Sequence, residues 1–353
     1  MNGREHFREI VERRSGRCGF WHGVPHDDSK PALHAYFGVK DDFELGLKLG
    51  SVCRYVRPEE DCGLWRRTDY PMFDPMNLAA SKNAGMQSSG RGYATIMHGE
   101  AVFADCEDVE TIHNYHWPTI DDCDFGETVR EIDRTVEAGQ AVLCSTWGSI
   151  FSNTWNFFGM ENCMVRMLGE PDLVKAVTGH LTDFYLAANE VLFSEAGKKI
   201  DSIFIGIDLG SQLDLLISPK TFEEFLLPFI KKLIDQARSY GLHVTMHSCG
   251  SIYRVIPQLI AAGVEVLHPI QALAKNMDAE GLAEKYKGRV VFMGGIDTQR
   301  LLPFGTPGEV KAEVRRVKKL LGPDYIVCAS HETLLPNVPP ENVAAMAEAA
   351  LEE

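Results

Sequence analysis

Positive charge is scarce in this chain: 35 lysines and arginines stand against 50 aspartates and glutamates in 353 residues, a formal net charge of −15. That balance argues against a nucleic-acid backbone or an anionic membrane surface as the main partner. No long apolar run occurs, so no membrane-spanning helix is expected. The N-terminus "MNGREHFREIVERR" is a charged amphipathic start and not a secretory signal. There is no Walker loop, GxGxxG fingerprint, HExxH or GxSxG. ATP-driven, nicotinamide and serine-hydrolase chemistry therefore lack their usual supports. CxxC is also missing: the nine cysteines (Cys18, Cys53, Cys62, Cys106, Cys123, Cys144, Cys163, Cys249 and Cys328) are scattered and odd in number. They read as reduced thiols in a cytoplasmic protein.

No low-complexity linker or sharp compositional break divides the chain, and an apolar fraction of 45% supports a sizeable core. From about residue 140, short apolar runs alternate with helical patterns. The strand candidates are "AVLCSTWG" (141–148), "SIFIGIDLG" (202–210), "HVTMHSCG" (243–250), "VEVLHPIQ" (264–271), "RVVFMGGID" (289–297) and "YIVCAS" (325–330). Near-continuous apolar runs are what strands buried on both faces require. Between them, Thr221 to Glu224 reads as a capping box, Pro228 as a break in the helix that follows, and Gly241 as its stop. Thr306, Pro307 and Glu309 repeat the start signal.

Such alternation implies a parallel sheet with right-handed crossovers, and the version that fits this length is an α/β (β/α)8 TIM barrel. The expected organisation is an N-terminal helical or irregular extension over 1–50 and one catalytic barrel over 51–353. "SVCRYVRP" (51–58) is read as the first barrel strand, and "GYATIMHGEAVFAD" (92–105) as a hairpin or second strand.

In a parallel barrel the reactive residues gather at the C-terminal ends of the strands. Those ends carry Trp147, Asp208, His247, Cys249, Gln271, Asp297, Cys328 and His331. His247 and Cys249, two apart on a strand, project to one side and can reach one ion, with Gly250 freeing the backbone to turn directly afterwards. Cys328 closes a later strand. One imidazole with two thiolates suits Zn²⁺, and an open fourth position would make the site catalytic. A plain buried strand end is the alternative for each of these residues. His331, three beyond Cys328, reads as a fourth ligand, a general acid or a hydrogen-bonded loop histidine. Asp208 reads as a catalytic carboxylate or a helix cap; Gln271 and Asp297 repeat that pattern as substrate contacts.

"TWGSIFSNTWNFFGMEN" (146–162) concentrates Trp147, Phe151, Trp155, Phe157 and Phe158. It reads as the core face of a helix, or as an apolar lid in which Trp147 and Trp155 shape a pocket for an aromatic ligand. "FWHGVPHDDSKPALHAYFG" (20–38) mixes His22, His26, Asp27, Asp28 and His34 with aromatics, and is read as a segment over the barrel mouth or as a second metal site.

The runs "HSCGSIYRVIPQLIAAGVEVLHPIQ", "NMDAEGLAEKYKGRVVFMGGIDTQRLL" and "HETLLPNVPPENVAAM" resemble the uroporphyrinogen decarboxylase superfamily over roughly residues 140–350. The resemblance implies a (β/α)8 barrel with one of two activities: metal-free porphyrinogen decarboxylation, or zinc-dependent methyl transfer to or from a corrinoid. Decarboxylases of the family carry an N-terminal "RQAGRY"-type segment, which "ERRSGR" (12–17) does not match. The corrinoid methyltransferases carry His-x-Cys on the fifth strand and a distant cysteine near the last, which His247, Cys249 and Cys328 match. One departure is visible. Counted back from "PPEN", the methyltransferase cysteine and the decarboxylase histidine both fall near His331, so the third ligand is Cys328 or His331.

What the resemblance implies is a methyltransferase holding Zn²⁺. It would pass a methyl group from a small-molecule donor, with an aryl methyl ether favoured, to the Co(I) corrinoid of a partner protein. No cobalamin-binding Asp-x-His-x-x-Gly motif occurs in the chain. The alternatives are transfer from a methyl-corrinoid protein to a thiol such as coenzyme M, a metal-free decarboxylase using Asp208 or His331, and a non-catalytic barrel that binds a tetrapyrrole.

Overall fold

The structure, a computed structural model, describes residues 1–58 and 101–352. Eight strands form one all-parallel sheet: β1 (Gly19–Phe20), β2 (Cys53–Tyr55), β3 (Ala141–Leu143), β4 (Ser202–Gly206), β5 (His243–His247), β6 (Val266–Ile270), β7 (Val291–Ile296) and β8 (Tyr325–Ala329). β2 to β8 pair in sequence order, and β1 pairs with β8. Between β1 and β2 the Val52 N–H donates to the Phe20 carbonyl at 2.8 Å. The fold is the expected (β/α)8 barrel.

Two expectations need correction. The first barrel strand is Gly19–Phe20, within the segment read as a lead-in, so 51–58 supplies the second strand. Two residues between polar loops leave no apolar run for periodicity to detect. The helix expected to start at Thr221 starts a turn earlier at Pro219, because Ser218 accepts from the Thr221 N–H and Pro219 takes the first helical position. Pro228 does divide this region, into Pro219–Phe225 and Leu227–Ser239. The Thr306/Glu309 capping box is present. Residues 92–100 of the expected hairpin lie outside the described residues, as does Cys62.

Side-chain alternation along the strands separates two cores. Cys53, Tyr55, Ala141, Leu143, Phe204, Val266, Val291, Met293, Ile326 and Cys328 form the barrel interior. Val142, Ile203, Ile205, Val244, Met246, Leu267, Phe292 and Val327 face the helices outside. The bottom is stoppered by helix Gly3–Val11, whose start is a complete capping box of Asn2 and Glu5 and whose Phe7, Ile10 and Val11 enter the interior core.

Asp201 holds that stopper in place. Its fully buried carboxylate accepts from Arg4 Nε at 3.0 and 2.9 Å, Arg8 Nε at 2.6 Å and the Val142 N–H at 2.9 Å. Removing the charge leaves two guanidinium groups facing a weaker acceptor. Because both arginines are partly exposed, Asp201→Asn should lower the unfolding free energy by about 2 kcal/mol. Urea titration measures this as a lower midpoint at unchanged slope. An unchanged midpoint would remove Asp201 as the anchor of the stopper.

Candidate active site

β5 ends on His247, whose ring is 2% exposed and stands above the barrel interior. Cys249 and Asp208, each half-buried, lie on one side of it. Cys249 Sγ is 3.3 Å and Asp208 Oδ1 3.3 Å from His247 Nε2, and the Cys249 N–H donates to Asp208 Oδ1 at 2.9 Å. On the other side Nδ1 lies 3.1 Å from His268 Nδ1 and 3.3 Å from Glu332 Oε2. His247 thus belongs to two groups of metal-capable donors whose ligand atoms lie within 4.8 Å of one another, Asp208–His247–Cys249 and His247–His268–Glu332.

Backbone economy makes this arrangement possible. Gly250 has φ +83°, and a Cβ there would sit 2.4 Å from the Gly210 carbonyl, so the loops leaving β4 and β5 touch backbone to backbone. Gln271 fastens the same turn by accepting from the Gly250 N–H at 2.9 Å and Gln212 Nε2 at 3.0 Å. Segment 20–38 does reach the mouth: Val24–Pro25 pairs in parallel with Thr333–Leu334, and the Val24 N–H donates to the Glu332 carbonyl at 2.6 Å. Among the described residues this segment forms no group of three metal-capable donors.

The electrostatics follow from burial. Burial works against ionisation of Asp208, but the hydrogen bond and charge of His247 and the Cys249 N–H hold its carboxyl at about 2. Burial pushes the Cys249 thiol well up, and the Asp208 and Glu332 charges add to this. For His247, burial favours the neutral ring, yet Glu332 and Asp208 together raise its pKa. Burial, then the neighbouring His247 and His331, keeps His268 neutral. A thiol, an imidazole and two carboxylates this close together form a donor set that exchanges protons for a cation.

The other predicted residues divide. Trp147 is brought in, with its ring centroid 5.2 Å from His247, at a left-handed φ of +53° and over Gly206, where a Cβ would meet the indole. His331 is close, its ring 6.2 Å from His247 and its Nδ1 accepting from the Thr333 N–H at 3.0 Å. Cys328 is not grouped with the donors: alternation turns it into the barrel interior beside Ile326, and burial, then Cys53 and Glu332, raise its thiol well up. Trp155 packs on Phe151 at 4.7 Å in the outer core. Asp297 is occupied by the N–H groups of Gln299, Arg300 and Leu301, each at 2.9 Å. His268 and Glu332 were not singled out from sequence, although a histidine before proline within β6 and a glutamate beside His331 were the available signals.

With this geometry in place, relatives become informative. The model of the uroporphyrinogen decarboxylase (URO-D) family matches residues 94–352. The chain belongs to that family. Among curated proteins it is similar to the methylcobamide:CoM methyltransferase MtbA of Methanosarcina mazei, 23% identical over 146 residues. That match spans 41% of this chain and about two-fifths (40%) of the length of the relative. Among solved structures it is similar to a methyltransferase from Methanosarcina mazei, with a TM-score of 0.63 at 17% identity, covering 99% of this chain and 98% of the other. This last likeness carries the fold. Among the described residues no helix is long and apolar enough to cross a membrane.

Proposed function

We propose that this family member is a zinc-dependent methyltransferase that passes a methyl group from a small methylated donor to the Co(I) corrinoid of a partner protein. The observation that carries the reading is the approach of Asp208, His247 and Cys249 donor atoms to within 4.8 Å at the barrel mouth. The named curated relative, a methylcobamide:CoM methyltransferase, supports the broader class of corrinoid-dependent methyl transfer. Asp208, His247 and Cys249 would hold the ion, with Glu332 and His331 at hand. The fit rests on the donor set itself: the Cys249 sulfur and the Asp208 carboxylate each lie 3.3 Å from His247 Nε2, so three ligand atoms of different kinds converge on one point. Sulfur, imidazole nitrogen and carboxylate oxygen together suit zinc. Bound Zn²⁺ supplies positive charge that polarises an ether oxygen or lowers a thiol pKa.

The chain's own residues then orient and exclude. Asp208 fixes the Cys249 backbone and His247 Nε2 from one side. His268 and Glu332 fix the other ring nitrogen, as outer partners of a ligating histidine do. Trp147 and Tyr55, centroids 5.6 Å apart, and Trp21, 5.3 Å from His268, pack the barrel interior against these histidines with aromatic surface. This wall, and not the outer-core Trp155, supports an aryl methyl ether as donor. Gln271 holds the loop, and Asp297 caps a turn.

Inductively coupled plasma mass spectrometry on protein purified without added metal tests the reading. About one zinc per chain is expected, together with methylation of free cob(I)alamin by methoxyarenes. Metal-free wild-type protein that survives zinc challenge unchanged would overturn it.

A further inference from the structure

A second cavity, of about 350 Å³, opens beside this site at the ends of β1 and β2 and is lined by Trp21, His22, Lys30, Arg54, Tyr55 and Arg57 among others. Its charges are almost all paired. Lys30 meets Asp27 at 2.8 Å and Asp42 at 3.2 Å, and Arg54 meets Glu131 at 2.6 Å. Asp42 also contacts His34 at 2.7 Å, and Glu127 accepts from Arg130 Nε at 3.0 Å. Burial holds His22 near 4, so its ring is neutral, with Nδ1 against Ser51 Oγ at 2.9 Å. Arg57 is different. Its Nε is buried with no hydrogen-bond partner, and among the described residues no carboxylate pairs with its guanidinium.

A buried donor on a permanent cation is costly to leave unmet, and a planar guanidinium is built to meet an oxyanion through two parallel hydrogen bonds. Trp21 and Tyr55 are shared walls. They line this cavity and also belong to the ring cluster reaching His247, through His268 at 5.3 Å and through Trp147 at 5.6 Å respectively. We infer that the cavity is an anion subsite in which Arg57 takes the acidic group of a small organic monoanion lying against Trp21 and Tyr55. The volume is at the small end of ligand pockets, which suits a single-ring acid. That this acid is the methyl donor of the neighbouring site rests on the methyltransferase reading; the anion site does not.

The test is ¹⁹F NMR titration of the full chain, stripped with chelator, using 4-fluorobenzoate, 4-fluorobenzenesulfonate and the neutral 4-fluorobenzamide. The expected result is saturable broadening with one or both acids and none with the amide. The acid that broadens separates carboxylate from sulfonate recognition. Arg57→Gln should weaken binding about tenfold or more, and Arg57→Lys, which keeps the charge without the fork, by less. Repeating the titration on Cys249→Ala excludes a metal as the binder. Equal binding of acid and amide, wild-type affinity in Arg57→Gln, or no binding of either acid would overturn the subsite. Arg57-dependent binding in a protein that never takes up zinc would sink the methyltransferase reading and leave the subsite standing.

Discussion

Cys249→Ala should emerge from purification with almost no zinc, whereas Cys328→Ala should retain the wild-type content of about one ion per chain. The contrast follows from where the strands turn the two thiols. Cys249 lies past the end of β5, half-buried, 3.3 Å from His247 Nε2 and fastened through its N–H to Asp208. Cys328 belongs to β8, and its side chain is enclosed among interior residues. Losing the first removes a donor; losing the second removes a buried sulfur, at a cost of about 1–2 kcal/mol in stability. Methyl transfer should fall at least about a thousandfold in Cys249→Ala, equivalent to about 4 kcal/mol of barrier, and by less than about threefold in Cys328→Ala. His331→Ala decides the remaining assignment. Zinc retained with low activity would make His331 a catalytic group at the mouth, and zinc lost would make it a ligand. Equal zinc loss in Cys249→Ala and Cys328→Ala would bring the interior sulfur into the coordination sphere and contradict the placement given above.

The barrel was legible because β3 to β8 are nearly pure apolar runs, and a strand covered on both faces needs no polar alternation. The His-x-Cys pair was legible for the same reason that strand ends are: side chains two apart share a side, and Gly250 marks the turn. Other members of the site were hidden by distance along the chain. Glu332 meets His247 only because Val24–Pro25 pairs with Thr333–Leu334 across the mouth, with Gly23 letting the strand approach the Glu332 carbonyl. Trp21 reaches the site from β1, a strand of two residues whose pairing with β8 no local pattern announces. Cys328 stands out as a third sulfur at a strand end, whereas inward or outward direction depends on strand register, and one residue reverses it. Asp297 shows the opposite error: a carboxylate at a strand end also suits three backbone N–H groups that need an acceptor.

Gly250→Ala should be the most damaging single methyl group at the mouth. Its φ of +83° disfavours any L side chain, and the added carbon would lie 2.4 Å from both the carbonyl carbon and oxygen of Gly210 and 2.6 Å from the Ser211 oxygen. These are backbone atoms, so no side chain can swing away to relieve the overlap. The Gly210–Asp214 loop must retreat, and it carries the Ser211 carbonyl that accepts from the Ser251 N–H at 2.7 Å. Asp208, two residues before Gly210, would shift with it and loosen its hold on the Cys249 N–H. An overall loss of at least about 3 kcal/mol is expected in chemical denaturation, from backbone strain combined with broken loop hydrogen bonds. Zinc affinity should fall with it, because the two loops together position Asp208 and Cys249. Ala substituted at Gly288 provides the comparison. That glycine has a similar φ of +76° but open space around its missing Cβ, so it isolates the conformational part, about 1 kcal/mol. If both variants lost stability equally and kept their zinc, the contact between the β4 and β5 loops would be incidental, and the donors would have to be held by β5 alone.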